Sequence, residues 1–148
     1  MTDYDLLLRQ AEALTEGFSY KTANLANISA LLFETLKDIN WSGFYFIEDG
    51  ALVLNAFQGK PACVVLAKGK GVCWRAVIDQ RPVNVPDVHL FPGHIACDSA
   101  SRSEIVLPLL KDGKAVGVLD IDSPIANRFD KTDEIGLSRL AKHIETLI

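Results

Sequence analysis

The chain has 148 residues, 49% of them hydrophobic and 23% charged, which is the length of one domain with enough apolar material to close a core, so disorder is excluded as its main state. Fifteen Lys and Arg against nineteen Asp and Glu leave a formal charge of −4, the wrong sign for a surface that grips nucleic-acid phosphates. Acidic residues stand where a signal peptide needs a basic segment, and no apolar run reaches the roughly 20 residues that cross a bilayer, so a soluble, cytoplasmic protein is expected.

No repeat or linker interrupts the sequence, and one domain over residues 1–148 is expected. Apolar residues recur at helical spacing in Leu6, Leu7, Ala11 and Leu14, and again in Leu25, Ile28, Leu31, Leu32 and Leu36, predicting two N-terminal helices. Two β-rich runs, 43–47 and 51–57, flank Glu48, Asp49 and Gly50, and Asp-Gly supplies the positive φ of a tight hairpin turn. A short strand follows over 63–66, then Lys68, Gly69, Lys70 and Gly71 lead into a short helix over 72–79. The polar stretch 86–103 is too long for a mere connector. A second hairpin, 104–110 with 115–121, turns on Asp112 and Gly113, and an amphipathic helix capped by Asp130 closes the chain with Ile135, Leu137, Leu140, Ala141 and Ile144 on its apolar spacing. Helices first, hairpins in the middle and a helix last predict an α+β fold: a central antiparallel sheet with the N- and C-terminal helices packed on one face.

Three cysteines, an odd number, argue against a structural disulfide framework. Cys63, in an apolar run, fits an inert buried thiol best. Cys73 falls in the first turn of a helix, near Lys68 and Lys70, where free N–H groups and the macrodipole favour a thiolate, so a lowered pKa is expected. Cys97 sits in the polar stretch three residues after His94 and is the strongest candidate nucleophile. His94 with the three cysteines would be a chemically sensible zinc set, but Cys63 and Cys73 are ten apart and no close pair exists, so no metal is expected. Lys68 to Gly71 would cradle an anion at a helix N-terminus, against the plainer reading of a loop leading into a helix. Asp120 and Asp122, two apart on a strand, share one face, and Glu104 opens the preceding strand, so three acids gather near one thiol; a solvated strand end is the bland alternative. Trp41 and Tyr45 complete the candidate pocket, with core packing as their alternative, while Trp74 is expected against the sheet and His89 and His143 are read as structural.

Several segments carry a resemblance in order along the chain: Trp41-Ser-Gly-Phe-Tyr45, Gln58 through Cys63, Gly69 through Cys73, Asp87 through Asp98 with its His-Ile-Ala-Cys-Asp core, Ser103 through Pro108, and Gly117 through Ser123. Together they closely resemble the free methionine-(R)-sulfoxide reductases, enzymes of the GAF fold. The resemblance implies reduction of free L-methionine (R)-sulfoxide, with Cys97 attacking the sulfoxide sulfur and passing through a sulfenic acid. It further implies an intramolecular disulfide with Cys63, Cys73 being an alternative or supporting thiol, reduced by thioredoxin with no bound cofactor. Glu104 and Asp120 are then expected at the sulfoxide oxygen, Asp122 at the ammonium group, Trp41 as an apolar wall for the S-methyl group, and Tyr45 beside it. Trp74 departs from the small residue expected after Cys73 and would shield that thiol. A non-catalytic GAF sensor of a small molecule or of redox state is the alternative, although a sensor normally acts through an attached output domain. A homodimer packed through the N-terminal helices is also expected.

Overall fold

The structure is a computed structural model that describes residues 1–93 and 100–148. In chain order it contains α1 (Tyr4–Thr15), α2 (Lys21–Thr35), β1 (Trp41–Glu48), β2 (Ala51–Gly59), β3 (Val65–Leu66), α3 (Gly71–Asp79), β4 (Val83–Val85), a single 3-10 turn (Val88–Leu90), β5 (Ser103–Lys111), β6 (Lys114–Ser123) and α4 (Lys131–Glu145). The strands form one six-stranded sheet in the order β3-β2-β1-β6-β5-β4. Every pairing in it is antiparallel.

Both hairpins close as their turn residues require. Asp49 and Gly50 have φ of 49° and 77°, and Asp112 and Gly113 have 53° and 78°, the left-handed pair that matches the twist of two adjoining strands. The two hairpins then meet at the middle of the sheet, where β1 pairs with β6. Alternation along the strands divides their side chains between two cores. Phe44, Phe46, Ile105, Leu107, Leu119 and Ile121 point into one core with the buried residues of α1, α2 and α4. Trp41, Tyr45, Val85, Val106 and Val118 point into the other with Val72, Cys73 and Trp74 of α3.

The expected α+β architecture is present, with α1, α2 and α4 together on one face. The opposite face is not bare, however, because α3 packs across β4, β5 and β6 there. Its apolar Val72, Cys73, Trp74 and Ala76 need a partner, and the outward rows of the sheet supply one. The α1 face is also rotated from the expected one. Tyr4, Leu7, Ala11 and Thr15 are buried while Leu6 and Leu14 stay 44% and 41% exposed, and on α4 Ile135 likewise faces out. The strand expected over 63–66 shortens to two residues, and β4 was not foreseen; three residues between Pro82 and Pro86 suit an edge strand, which needs no inward N–H from a proline. Among the described residues no helix is long and apolar enough to cross a membrane.

Candidate active site

Strand register assembles the acids. Asp122 lies opposite Trp41 on β1 and opposite Glu104 on β5, while Asp120 lies opposite Gly43 and Val106. Directly opposed residues share a face with Cβ atoms roughly 5 Å apart, so Glu104, Asp120 and Asp122 converge from two neighbouring strands onto the α3 face. The N-terminus of α3 lies over them. Cys73 Sγ and one carboxylate oxygen each of Glu104 and Asp120 lie within 4.8 Å of one another, and all three residues are buried.

Burial dominates the electrostatics here. Removal from water, reinforced by the charge of Asp122, pushes the Glu104 carboxyl up to about 8. Burial and then the neighbouring Glu104 hold Asp120 well above the usual carboxylate range. Asp120 Oδ1 is buried with no hydrogen-bond partner among the described residues. A full set of ionised carboxylates is therefore disfavoured, and the cluster retains protons near neutrality. Cys73 departs from expectation: its thiol is raised, not lowered, because burial and the charges of Asp120, Glu104 and Asp122 oppose the thiolate more than the helix N-terminus favours it.

Trp41 forms the apolar wall. Its indole stacks at 5.3 Å on Phe57 and 6.0 Å from Tyr45, and Nε1 donates to the Lys60 carbonyl at 3.2 Å. Two glycines let it lie flat. A Cβ on Gly43 would come within 2.7 Å of the indole Cη2, and one on Gly59 within 2.7 Å of its Cδ1, with Gly59 also at φ +129°. Tyr45 donates its hydroxyl to the Cys63 carbonyl at 2.8 Å, tying the wall to the segment that carries that cysteine.

Trp41, Tyr45, Cys73, Glu104, Asp120 and Asp122 thus line one pocket as the sequence suggests. Cys63 is half-buried and disulfide-bonded, which removes it from any zinc set and from the inert-thiol reading, whereas Cys73 is free. Cys97, with His94 and Asp98, lies outside the described residues. Trp74 packs against the sheet as expected, donating Nε1 to the Leu66 carbonyl at 2.9 Å, and shares a buried cluster with Cys73. His143 bonds Thr15 at 3.0 Å on the far side of the sheet and His89 belongs to the 3-10 turn, and neither lines the pocket.

The pocket also recruits Lys60, Lys70 and Ser101, which sequence patterning did not single out together. Lys70 precedes the first turn of α3, whose N-cap makes no side-chain hydrogen bond, and Gly71, Val72 and Cys73 of that turn line the pocket. Helix-terminal amides without a side-chain cap and two lysines therefore oppose an acidic floor, a distribution complementary to an amino-acid zwitterion. The Lys-Gly-Lys-Gly run was the available signal, since it pointed to anion binding at a helix N-terminus.

Comparison with known proteins agrees with this geometry. The GAF domain family matches residues 22–148. The chain is 52% identical over 145 residues to the free methionine-R-sulfoxide reductase of Escherichia coli (strain K12), covering 98% of this chain and 88% of that protein. Its fold is similar to fRMsr of Staphylococcus aureus in complex with substrate, with a TM-score of 0.94 and 51% identity over 100% of this chain and 97% of that one. It is equally similar, at a TM-score of 0.94 and 44% identity, to free methionine-R-sulfoxide reductase from Neisseria meningitidis in complex with its substrate, over 97% of this chain and 87% of that one.

Proposed function

This chain belongs to the free methionine-R-sulfoxide reductase family of GAF domains, and we propose that it reduces free L-methionine (R)-sulfoxide to L-methionine. The observation that carries the reading is the cluster of buried Glu104 and Asp120 with half-buried Asp122 beside the Trp41 wall. A sulfoxide is a weak base whose oxygen must be protonated before it leaves, and a carboxyl that still holds its proton at neutral pH is suited to that task. Glu104 and Asp120 take the oxygen, and Asp122 takes the ammonium group. The indole accepts the S-methyl group, so only one epimer presents methyl to Trp41 and oxygen to the acids at once. Lys60, Lys70 and the α3 amides favour the carboxylate of a free amino acid over a peptide.

In the proposed reaction the Cys97 thiolate attacks the sulfoxide sulfur, the oxygen passes to Cys97 as a sulfenic acid, and methionine departs. The Cys63 thiol then attacks the sulfenic sulfur, water leaves, and a Cys63–Cys97 disulfide forms. A thioredoxin dithiol reduces that disulfide, becoming oxidised itself, so no resident cofactor is required. The disulfide-bonded state of Cys63 and the burial of free Cys73 support Cys63 over Cys73 as the resolving thiol. A reducing cytoplasm suits this chemistry. Cys97→Ser is expected to abolish methionine release, and Cys63→Ser to release one methionine per chain and then stall.

The deciding assay measures methionine from free methionine (R)-sulfoxide with thioredoxin, thioredoxin reductase and NADPH, beside the (S) epimer and an N-acetylated substrate. Turnover of the free (R) epimer alone is expected. No turnover of any of them by the reduced protein would overturn the enzyme reading in favour of a sensor. We also propose a homodimer through the N-terminal helices, where Leu6 and Leu14 stay exposed; a concentration-independent monomer mass by light scattering would refute it.

A further inference from the structure

Cys73 is a buried thiol that the proposed reaction does not consume, and two buried carboxyl groups face it. Cys73 Sγ and one oxygen each of Glu104 and Asp120 lie within 4.8 Å of one another. Ligands held at 2.0–2.3 Å around a tetrahedral Zn²⁺ stand roughly 3.3–3.8 Å apart, so modest side-chain adjustment brings these atoms to a common centre. A separate observation points to a missing partner at the same spot. Asp120 Oδ1 is buried and lacks a hydrogen-bond partner among the described residues, in a side chain that lines the pocket.

We propose that the reduced protein binds one divalent cation of the zinc class through Cys73 Sγ, Glu104 and Asp120, and that this cation competes with the substrate for the pocket. A thiolate in the set selects zinc-class ions over magnesium and calcium, and three protein ligands leave a fourth position for water. Binding forms three metal–ligand bonds and releases whatever protons the thiol and carboxyls held, with no electron transferred. Sequence spacing hides this set, because only one of its ligands is a cysteine and the sheet brings the other two from β5 and β6. The competition clause rests on the proposed function; the binding clause does not.

Cobalt is the probe, since a thiolate-to-cobalt charge-transfer band reports sulfur ligation. The reduced Cys63→Ser/Cys97→Ser protein, in which Cys73 is the one cysteine left, is titrated with Co²⁺ and then with Zn²⁺. One equivalent of cobalt giving the band, displaced by zinc, is expected. Adding Cys73→Ser removes the band, and adding Asp120→Asn weakens cobalt binding at least about tenfold. Glu104→Gln gives the same loss should Asp120→Asn fail to fold. Free methionine (R)-sulfoxide raises the apparent Kd for cobalt. No band in the double variant, or undiminished binding in both carboxylate variants, overturns the site. A band in the double variant that the sulfoxide does not shift, where the parent protein reduces the sulfoxide, overturns the competition. A band in the double variant beside a parent protein that reduces no sulfoxide upholds the metal site and sinks the proposed function instead.

Discussion

Glu104 holds a proton where an exposed glutamate has long since lost one, and that single difference has consequences for both activity and stability. Its carboxyl is pushed up to about 8 by burial and by the charge of Asp122. An unfolded glutamate titrates near about 4.3, so between that value and about 8 the folded chain binds more protons than the unfolded chain. Stability from this group therefore falls as pH rises through the window, and the penalty is complete above the folded value. Glu104→Gln has no proton to lose. Relative to the parent it is expected to gain stability between pH 5 and pH 9, measured by urea denaturation at the two ends. The same substitution removes a proton donor, so single-turnover methionine release is expected to fall by about 100-fold or more. In the parent that release declines as pH climbs through about 8. Equal slopes of stability against pH in the two proteins would contradict this account of Glu104.

At the level of strands and helices, the pocket depends on how flat the indole of Trp41 lies on β1 and β2. Gly43→Ala places a methyl against Phe57 and the indole edge, which forces the wall into the space meant for the substrate methyl. A contact worth about 1–2 kcal/mol is at stake, so KM for the sulfoxide is expected to rise about 5- to 30-fold in Gly43→Ala and in Trp41→Ala, with thioredoxin-dependent recycling unchanged. A KM unchanged in both would remove the indole from the methyl subsite. These same strands explain what the sequence disclosed. Asp49-Gly50 and Asp112-Gly113 announce both hairpins because the turn demands those residue types locally, and period-two alternation puts Asp120 and Asp122 on one face. Pairing between the hairpins is non-local, so the row of Trp41, Asp122 and Glu104 follows only once β1 meets β6. For the same reason Lys60 and Ser101 carried no local mark. The raised Cys73 thiol is not legible in the sequence, because helix position is written there while the depth of burial and the three carboxylates beneath it are not.

Across the whole molecule the sheet separates chemistry from cohesion, and one buried polar network on the helix side shows how. Asp133 of α4 accepts the Tyr4 hydroxyl at 2.6 Å, the Arg128 guanidinium at 3.0 Å and the Asp130 amide at 3.0 Å, while Asp130 accepts the Asp133 amide in return. The capping box starts α4, and the same carboxylate pins the first turn of α1 to it. Gly136 allows the approach, since a Cβ there would fall inside the Tyr4 ring. Burial and the adjacent Asp133 raise the Tyr4 phenol, so it stays a neutral donor throughout the working range. Tyr4→Phe keeps the ring and removes only the donated hydrogen bond to a charged acceptor, a loss of about 1.5–3 kcal/mol. The midpoint of urea unfolding is expected to fall accordingly with its slope preserved, while KM for the sulfoxide stays at the parent value because the pocket lies on the opposite face of the sheet. A raised KM in Tyr4→Phe would mean that the two faces are coupled through β1 and β6, and that the helix layer positions the acids as well as holding the fold together.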